Sequence, residues 1–199
     1  MKIGITPSVK ETYKNQFEYC IDIKLVNFVR YCFKNSEIVI INDKFINCKN
    51  FDLLIISGGN DLYHLKKKKK NLIRNNLERG IIKNALRSKT TVLGICYGAQ
   101  FLSNKFGVKV FKVKGYVGKV QKINFTKKLV PNLNTVNVRC YHNYAIKKNN
   151  KLEQFAVFKN KTLAFFKIKK KNVFGIMWHP ERDIQFKKFN KLIIKKICN

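Results

Sequence analysis

Between Asp52 and Ile95 the chain runs apolar strand, turn, amphipathic helix, apolar strand, and that order leaves few folds open. Asp52–Ser57 and Thr90–Ile95 are apolar runs of strand length. Between them Leu72, Ile73, Leu77, Ile81, Ile82 and Ala85 recur at helical spacing, which predicts one amphipathic helix over Leu72–Leu86. Strands apolar throughout are covered on both faces, and strands joined through a helix lie parallel. Upstream, Lys2–Thr6, stopped by Pro7, and Glu37–Ile41 supply two further strands. Phe17, Cys20, Ile21, Leu25, Phe28, Val29 and Cys32 share three- and four-residue spacing, so that stretch is expected to be mostly helical. A helix from Cys96 to about Phe106 follows the Thr90–Ile95 strand.

The second half is richer in strands. Val108–Phe111, Val117–Phe125, Thr135–Cys140, Phe155–Phe158, Leu163–Lys169 and Val173–Trp178 all carry branched or aromatic residues. A last helix from about Asp183 to Cys198 would set Ile184, Phe186, Phe189, Leu192, Ile193 and Ile197 on one side. The expectation is an α/β fold: a central, mostly parallel sheet with helices on both faces plus a small antiparallel β extension. No linker or repeat divides the 199 residues, so residues 1–199 read as one domain.

The net charge of +31 invites a nucleic-acid reading. Phosphate-binding surfaces draw on arginine, whose planar fork matches phosphate. Here arginine is confined to Arg30, Arg74, Arg79, Arg87, Arg139 and Arg182, and the rest of the 42 basic residues are lysine. Lysine, asparagine, isoleucine and phenylalanine share AT-rich codons, so drift in base composition explains the excess at least as well as function does. No specific nucleic-acid partner is expected. The six cysteines show no CxxC pair and no repeated spacing, so neither a metal site nor a disulfide framework follows. A reducing, cytoplasmic setting is expected. The N-terminus lacks the form of a signal peptide, and no run is long enough to span a membrane. The sequence is compatible with a homo-oligomer.

Three strand ends carry chemistry. In Gly94-Ile95-Cys96-Tyr97-Gly98-Ala99-Gln100, glycines flank a thiol between strand and helix. That spacing permits the sharp turn that lifts a nucleophile out of the fold, and a helix N-terminus favours the thiolate. In Trp178-His179-Pro180-Glu181, a histidine ends a strand, at the sheet edge where ligands bind in α/β folds. Glu181 can orient its imidazole and stabilise the protonated form. In Ser57-Gly58-Gly59-Asn60-Asp61, paired glycines let backbone N–H groups approach an oxyanion. Alone, this last motif is equally a plain turn.

Together these motifs, in this order, resemble the class I glutamine amidotransferase family along nearly the whole chain. The resemblance implies a Cys96–His179–Glu181 triad and an oxyanion hole formed by the N–H groups of Gly59 and Tyr97. It places Gly58, Asn60, Gln100, Cys140, Tyr141 and His142 at the substrate, and it implies no metal and no cofactor. Ile3-Gly4-Ile5-Thr6, Ser57–Leu62, Arg74 with Glu78, Tyr141–Ile146 and Phe174–Arg182 are most similar to the family's γ-glutamyl hydrolase branch. They are especially like hydrolases of a γ-glutamyl nucleotide phosphoramidate in capsule synthesis. The sequence departs from that branch at Pro7-Ser8, Asn75 and Cys140. The implied partner is a small γ-glutamyl substrate, cleaved by attack of Cys96 on its γ-carbonyl. Three alternatives stay open: a glutaminase subunit feeding ammonia to a synthetase, a hydrolase of another γ-glutamylated amine, and a basic nucleic-acid-binding protein on an inactive scaffold.

Overall fold

The computed structural model describes residues 1–127, 129–131, 133–183 and 185–198. Its strands and helices are, in chain order, β1 (Lys2–Thr6), β2 (Ser8–Tyr13), β3 (Gln16–Cys20), α1 (Ile23–Cys32), β4 (Glu37–Ile40), β5 (Leu53–Ile56), α2 (Lys69–Arg87), β6 (Thr91–Ile95), α3 (Tyr97–Lys105), β7 (Val110–Lys112), β8 (Lys119–Phe125), β9 (Thr135–Cys140), β10 (Tyr144–Ile146), β11 (Leu152–Phe158), β12 (Leu163–Ile168), β13 (Val173–Ile176) and α4 (Lys188–Cys198).

A nine-stranded sheet runs in the order β4-β1-β5-β6-β13-β12-β11-β8-β9. Neighbours from β4 to β13 pair parallel. From β13 to β9 they pair antiparallel. The antiparallel extension is thus continuous with the parallel sheet. β5 and β13 are buried at every residue, as strands covered on both faces must be. α3 lies against β5, β6 and β13, while α1 and α4 pack on each other. Each fully buried Leu, Ile or Phe of this core contributes about 1.5–3 kcal/mol. No helix among the described residues is long and apolar enough to cross a membrane.

Two expectations need correction. The segment read as mostly helical begins as the β2–β3 hairpin, and the helix starts only at Ile23. Asn15 takes φ 64° in the tight Lys14-Asn15 turn, a conformation asparagine tolerates, and Asp22 caps α1 by accepting from the Lys24 amide at 2.9 Å. Phe17 and Cys20, three residues apart, fit a helical spacing but lie on opposite faces of β3, and the turn and the cap set the strand against that spacing. The last helix starts at Lys188, not near Asp183, because a 3₁₀ turn over Pro180–Arg182 comes first. Ile184, expected on that helix, lies outside the described residues.

Adjacency of β5, β6 and β13 is what positions the site. Being parallel neighbours, their C-terminal ends emerge side by side, so Ser57–Asn60, Cys96 and His179 converge on one edge.

Candidate active site

Cys96 occupies the turn between β6 and α3 with φ 51° and ψ −100°, a region that L-residues avoid. Strain of this kind costs about 1–3 kcal/mol and persists only where the surroundings fix it. Here the Cys96 amide donates to the Ile176 carbonyl at 2.8 Å, and its carbonyl accepts from the Gln100 amide at 3.1 Å. The turn also needs its glycines: a Cβ on Gly98 would run into the Ile56 backbone, and one on Gly94 into Gly98. Tyr97 opens α3, so its N–H is among those without an acceptor inside the helix.

His179 is fixed from several sides. Its amide donates to the Arg139 carbonyl at 2.9 Å, and the preceding Trp178, fully buried, donates from Nε1 to Asn190 on α4 at 2.9 Å. Pro180 starts the 3₁₀ turn that brings Glu181 back over the ring, with Oε1 2.6 Å from Nδ1. Tyr141 meets the imidazole edge-on at 5.5 Å. A Cβ on Gly58 would come within 2.7 Å of Cε1, so only glycine lets the loop lie against the ring. Cys96 and the imidazole line the same cleft. Burial works against a charged ring here. The charges of Cys96 and Glu181 and their hydrogen bonds outweigh it, and His179 rises from its ordinary 6.5 to about 10.

The Ser57–Asn60 loop is held from beneath by Arg74 of α2. Its Nη2 donates to the Ser57 carbonyl at 2.7 Å and to Ser57 Oγ at 3.0 Å. Nη1 donates to the Gly58 carbonyl at 2.8 Å and to Asn60 Oδ1 at 3.1 Å. Nε donates to Glu78 Oε1 at 2.9 Å, which also accepts from Thr6 Oγ1. The guanidinium lies over the Tyr97 ring, 4.0 Å from its centroid. Gly59, at φ 120°, completes the loop in a conformation that favours glycine.

A cleft of about 200 Å³ brings together Gly59, Cys96, Tyr97, Gln100, Tyr141, His142 and His179. Gln100 Nε2 donates to the Tyr144 carbonyl at 3.3 Å, tying α3 to β10. His142 is 3% exposed and stacks on Tyr116 at 4.5 Å. Burial, with the charge of His179, lowers it to about 4, so the ring is neutral at pH 7. Gly58 lies behind the ring of His179 rather than in this cleft.

Of two further residues expected at the substrate, Asn60 borders this cleft and Cys140 does not. The Asn60 amide is also engaged at both ends, Oδ1 accepting from the Val9 amide and Nδ2 donating to the Val9 carbonyl, so the residue braces β2 against the loop as well as bordering the cleft. Cys140 is fully buried at the end of β9 and does not line the cleft, and burial pushes its thiol well up. Sequence reasoning gave no role to the Arg74–Glu78 pair. The available signal was charge on the core stripe of α2, since Arg74 and Glu78 share its period with Leu77 and Ile81. No three His, Cys, Asp or Glu side chains among the described residues are grouped to hold a metal ion.

Comparison with known proteins extends this picture. A family model described as glutamine amidotransferase class-I matches residues 12–193. A Campylobacter jejuni protein named gamma-glutamyl-CDP-amidate hydrolase is 34% identical over 131 residues, 65% of this chain and 62% of that protein. A glutamine-hydrolyzing GMP synthase subunit from Methanococcus vannielii is 30% identical over 118 residues, 57% of this chain and 61% of that one. The chain thus spans less than two thirds of the length of either relative. A solved Thermoplasma acidophilum structure superposes with TM-score 0.73 and 19% identity, covering 100% of this chain and 92% of that one. A Thermotoga maritima glutamine amidotransferase gives TM-score 0.68 at 14% identity, covering 90% and 76%. At such identities these two speak for the fold alone.

Proposed function

The chain belongs to the class I glutamine amidotransferase family, and from that premise we propose that it is a cysteine hydrolase releasing glutamate from a γ-glutamyl nucleotide phosphoramidate. The observation that carries the reading is Cys96 on its strained turn, beside an imidazole whose far nitrogen is held at 2.6 Å by Glu181. The substrate follows the name of the Campylobacter relative, γ-glutamyl-CDP-amidate. Capsule phosphoramidate synthesis in the cytoplasm is the setting that this substrate brings with it.

In this mechanism the Cys96 thiolate attacks the γ-carbonyl carbon, and the developing oxyanion takes hydrogen bonds from the Gly59 and Tyr97 amides. His179, kept protonated by Glu181, gives its proton to the leaving nitrogen as the C–N bond breaks. A water then gives a proton to His179 and adds to the glutamyl thioester, releasing glutamate and the free thiolate. Gln100, Tyr141 and neutral His142 hold the glutamyl head group, with Gly58 setting the loop and Cys140 contributing through the backbone of its segment. The reaction needs no metal, cofactor or synthetase partner.

The test is glutamate release by the purified chain alone, read by mass spectrometry, on γ-glutamyl-CDP-amidate and on glutamine. The conjugate should be cleaved much faster. Preference for glutamine, or activity only with a partner protein, would move the chain to the ammonia-donor reading that its GMP synthase relatives favour.

A further inference from the structure

Two cavities meet at His179. The first is the cleft of about 200 Å³ that contains Cys96. The second, of about 550 Å³, lies on the other side of the ring, between the β2–β3 hairpin, the start of α1 and the Ser57–Gly59 loop. His179, Gly59 and Arg182 line both. A scissile bond attacked by Cys96 and protonated by His179 therefore has a compartment on each side. The smaller suits a glutamyl group. The larger is in the range of about 300–1,000 Å³ that encloses a whole small ligand. Ammonia, the leaving group from glutamine, would use almost none of it.

Its walls say what such a leaving group carries. Lys10 of β2 and Lys24 in the first turn of α1 are exposed side chains on its lining, and Arg182 stands at the boundary between the cavities. Two carboxylates also face it, and both are engaged. Asp22 accepts from the Lys24 amide at 2.9 Å and lies 3.8 Å from Arg182, while Glu181 is hydrogen-bonded to His179. A lysine ammonium is a compact point charge on a flexible stem, suited to phosphate oxygens without one fixed geometry.

We infer that the larger cavity is the leaving-group subsite, that it takes a phosphoryl-bearing amine, and that Lys10 and Lys24 recognise its phosphate oxygens. This rests on Cys96 being the nucleophile, as proposed above. When the C–N bond breaks, the glutamyl half stays on sulfur in the smaller cavity. The leaving nitrogen takes its proton from His179 and departs through the larger.

Two probes differing only in a phosphate, γ-glutamyl-ethanolamine and γ-glutamyl-aminoethyl phosphate, test it. Their affinities for the full chain carrying Cys96→Ala are measured by calorimetry, and their turnover with unmodified Cys96. The phosphorylated probe should bind roughly tenfold more tightly, and Lys10→Gln with Lys24→Gln should reduce that preference to about twofold or less. Both lysines are exposed, so folding is not at stake. Because the +31 net charge draws phosphate to any face, Lys147→Gln with Lys148→Gln serves as control and should leave the preference intact. Equal affinity, no binding of either probe, or a preference that survives loss of Lys10 and Lys24 overturns the inference. If the protein with Cys96 cleaves neither probe, the hydrolase reading falls by itself, and the calorimetry still decides the subsite.

Discussion

Two buried pairs of a carboxylate with a cation touch the same loop, and they are built for opposite ends. Arg74 and Glu78 are fully buried, 2.9 Å apart, and all five N–H bonds of Arg74 point at acceptors in α2 or the Ser57–Asn60 loop. Neither lines either of the cavities that meet at His179. His179 and Glu181 are almost as buried and closer, at 2.6 Å, yet the imidazole opens on both cavities and only its Nδ1 side is occupied by Glu181. Burial raises the cost of any unpaired charge in both places. A pair whose donors all have partners can only hold its neighbours in place. A pair with one nitrogen left toward a cavity can exchange protons with what enters. Gly58 joins them, its carbonyl taken by Arg74 and its α-carbon lying against His179.

Breaking the reactive pair should have the largest effects. Cys96→Ala should lower glutamate release by about 10⁴-fold or more, with circular dichroism and melting temperature little changed. Glu181→Gln should lower turnover by about 10²–10⁴-fold, as loss of the group orienting a catalytic histidine does. It should also change the pH dependence. His179 is raised in the folded state, so its stabilising contribution is complete below its ordinary pKa of 6.5 and is lost as pH rises through about 10. Urea midpoints measured across that window should fall more in the parent protein than in Glu181→Gln. An equal fall in both would mean that Glu181 does not hold the proton.

Breaking the structural pair should separate stability from activity. Arg74→Met leaves Glu78 buried without its cation, and burial already pushes that carboxyl up against the pull of Arg74. The cost should be about 3–5 kcal/mol by denaturant unfolding. Adding Glu78→Leu removes the orphaned carboxylate and should recover much of that stability. Activity should not return with it, because the Ser57 and Gly58 carbonyls still lack the donors that set the loop. Recovery of both together would make Arg74 a stabilising residue only, with no part in positioning Gly59.

Legibility in the sequence follows the same division. The elbow at Cys96 and the His179–Glu181 turn were readable because each is a local motif: a strand of apolar residues, a break, and a reactive side chain at fixed spacing. The parallel strands were readable for a similar reason, since β5 is apolar throughout and β1 and β6 are polar only at Lys2, Thr6 and Thr91. Pairing was not. Nothing in periodicity says that β13 inserts beside β6, yet that neighbourhood is what sets His179 next to Cys96. The hairpin Ser8–Cys20 was hidden because Phe17 and Cys20 fit a helical spacing, and with it went the larger cavity that the hairpin walls. β10 is three residues long, too short to show any period. Arg74 went unassigned because a charged residue on an apolar stripe reveals its partners only once Ser57, Gly58 and Asn60 are brought over it.

Surface charge gives the smallest effect and isolates what burial adds. Lys2 and Glu37 form an ion pair at 2.9 Å, the same separation as Arg74 and Glu78, but their side chains are 38% and 61% exposed. At equal distance the interaction is weakened by water and salt, and ordering two long side chains offsets much of the rest. Lys2→Gln should therefore change stability by less than about 1 kcal/mol, several-fold below the cost of Arg74→Met. The same screening governs the rest of the lysine excess. Oligonucleotides of unrelated sequence should bind weakly and alike, with affinity falling steeply as salt rises, because released counterions rather than fitted contacts drive the association. Raising salt should abolish that binding and any small effect of Lys2→Gln while leaving the Arg74→Met penalty nearly unchanged. A salt-resistant preference for one oligonucleotide would instead mean that some of these lysines sit in a built site, as Arg74 does, and not on a merely charged surface.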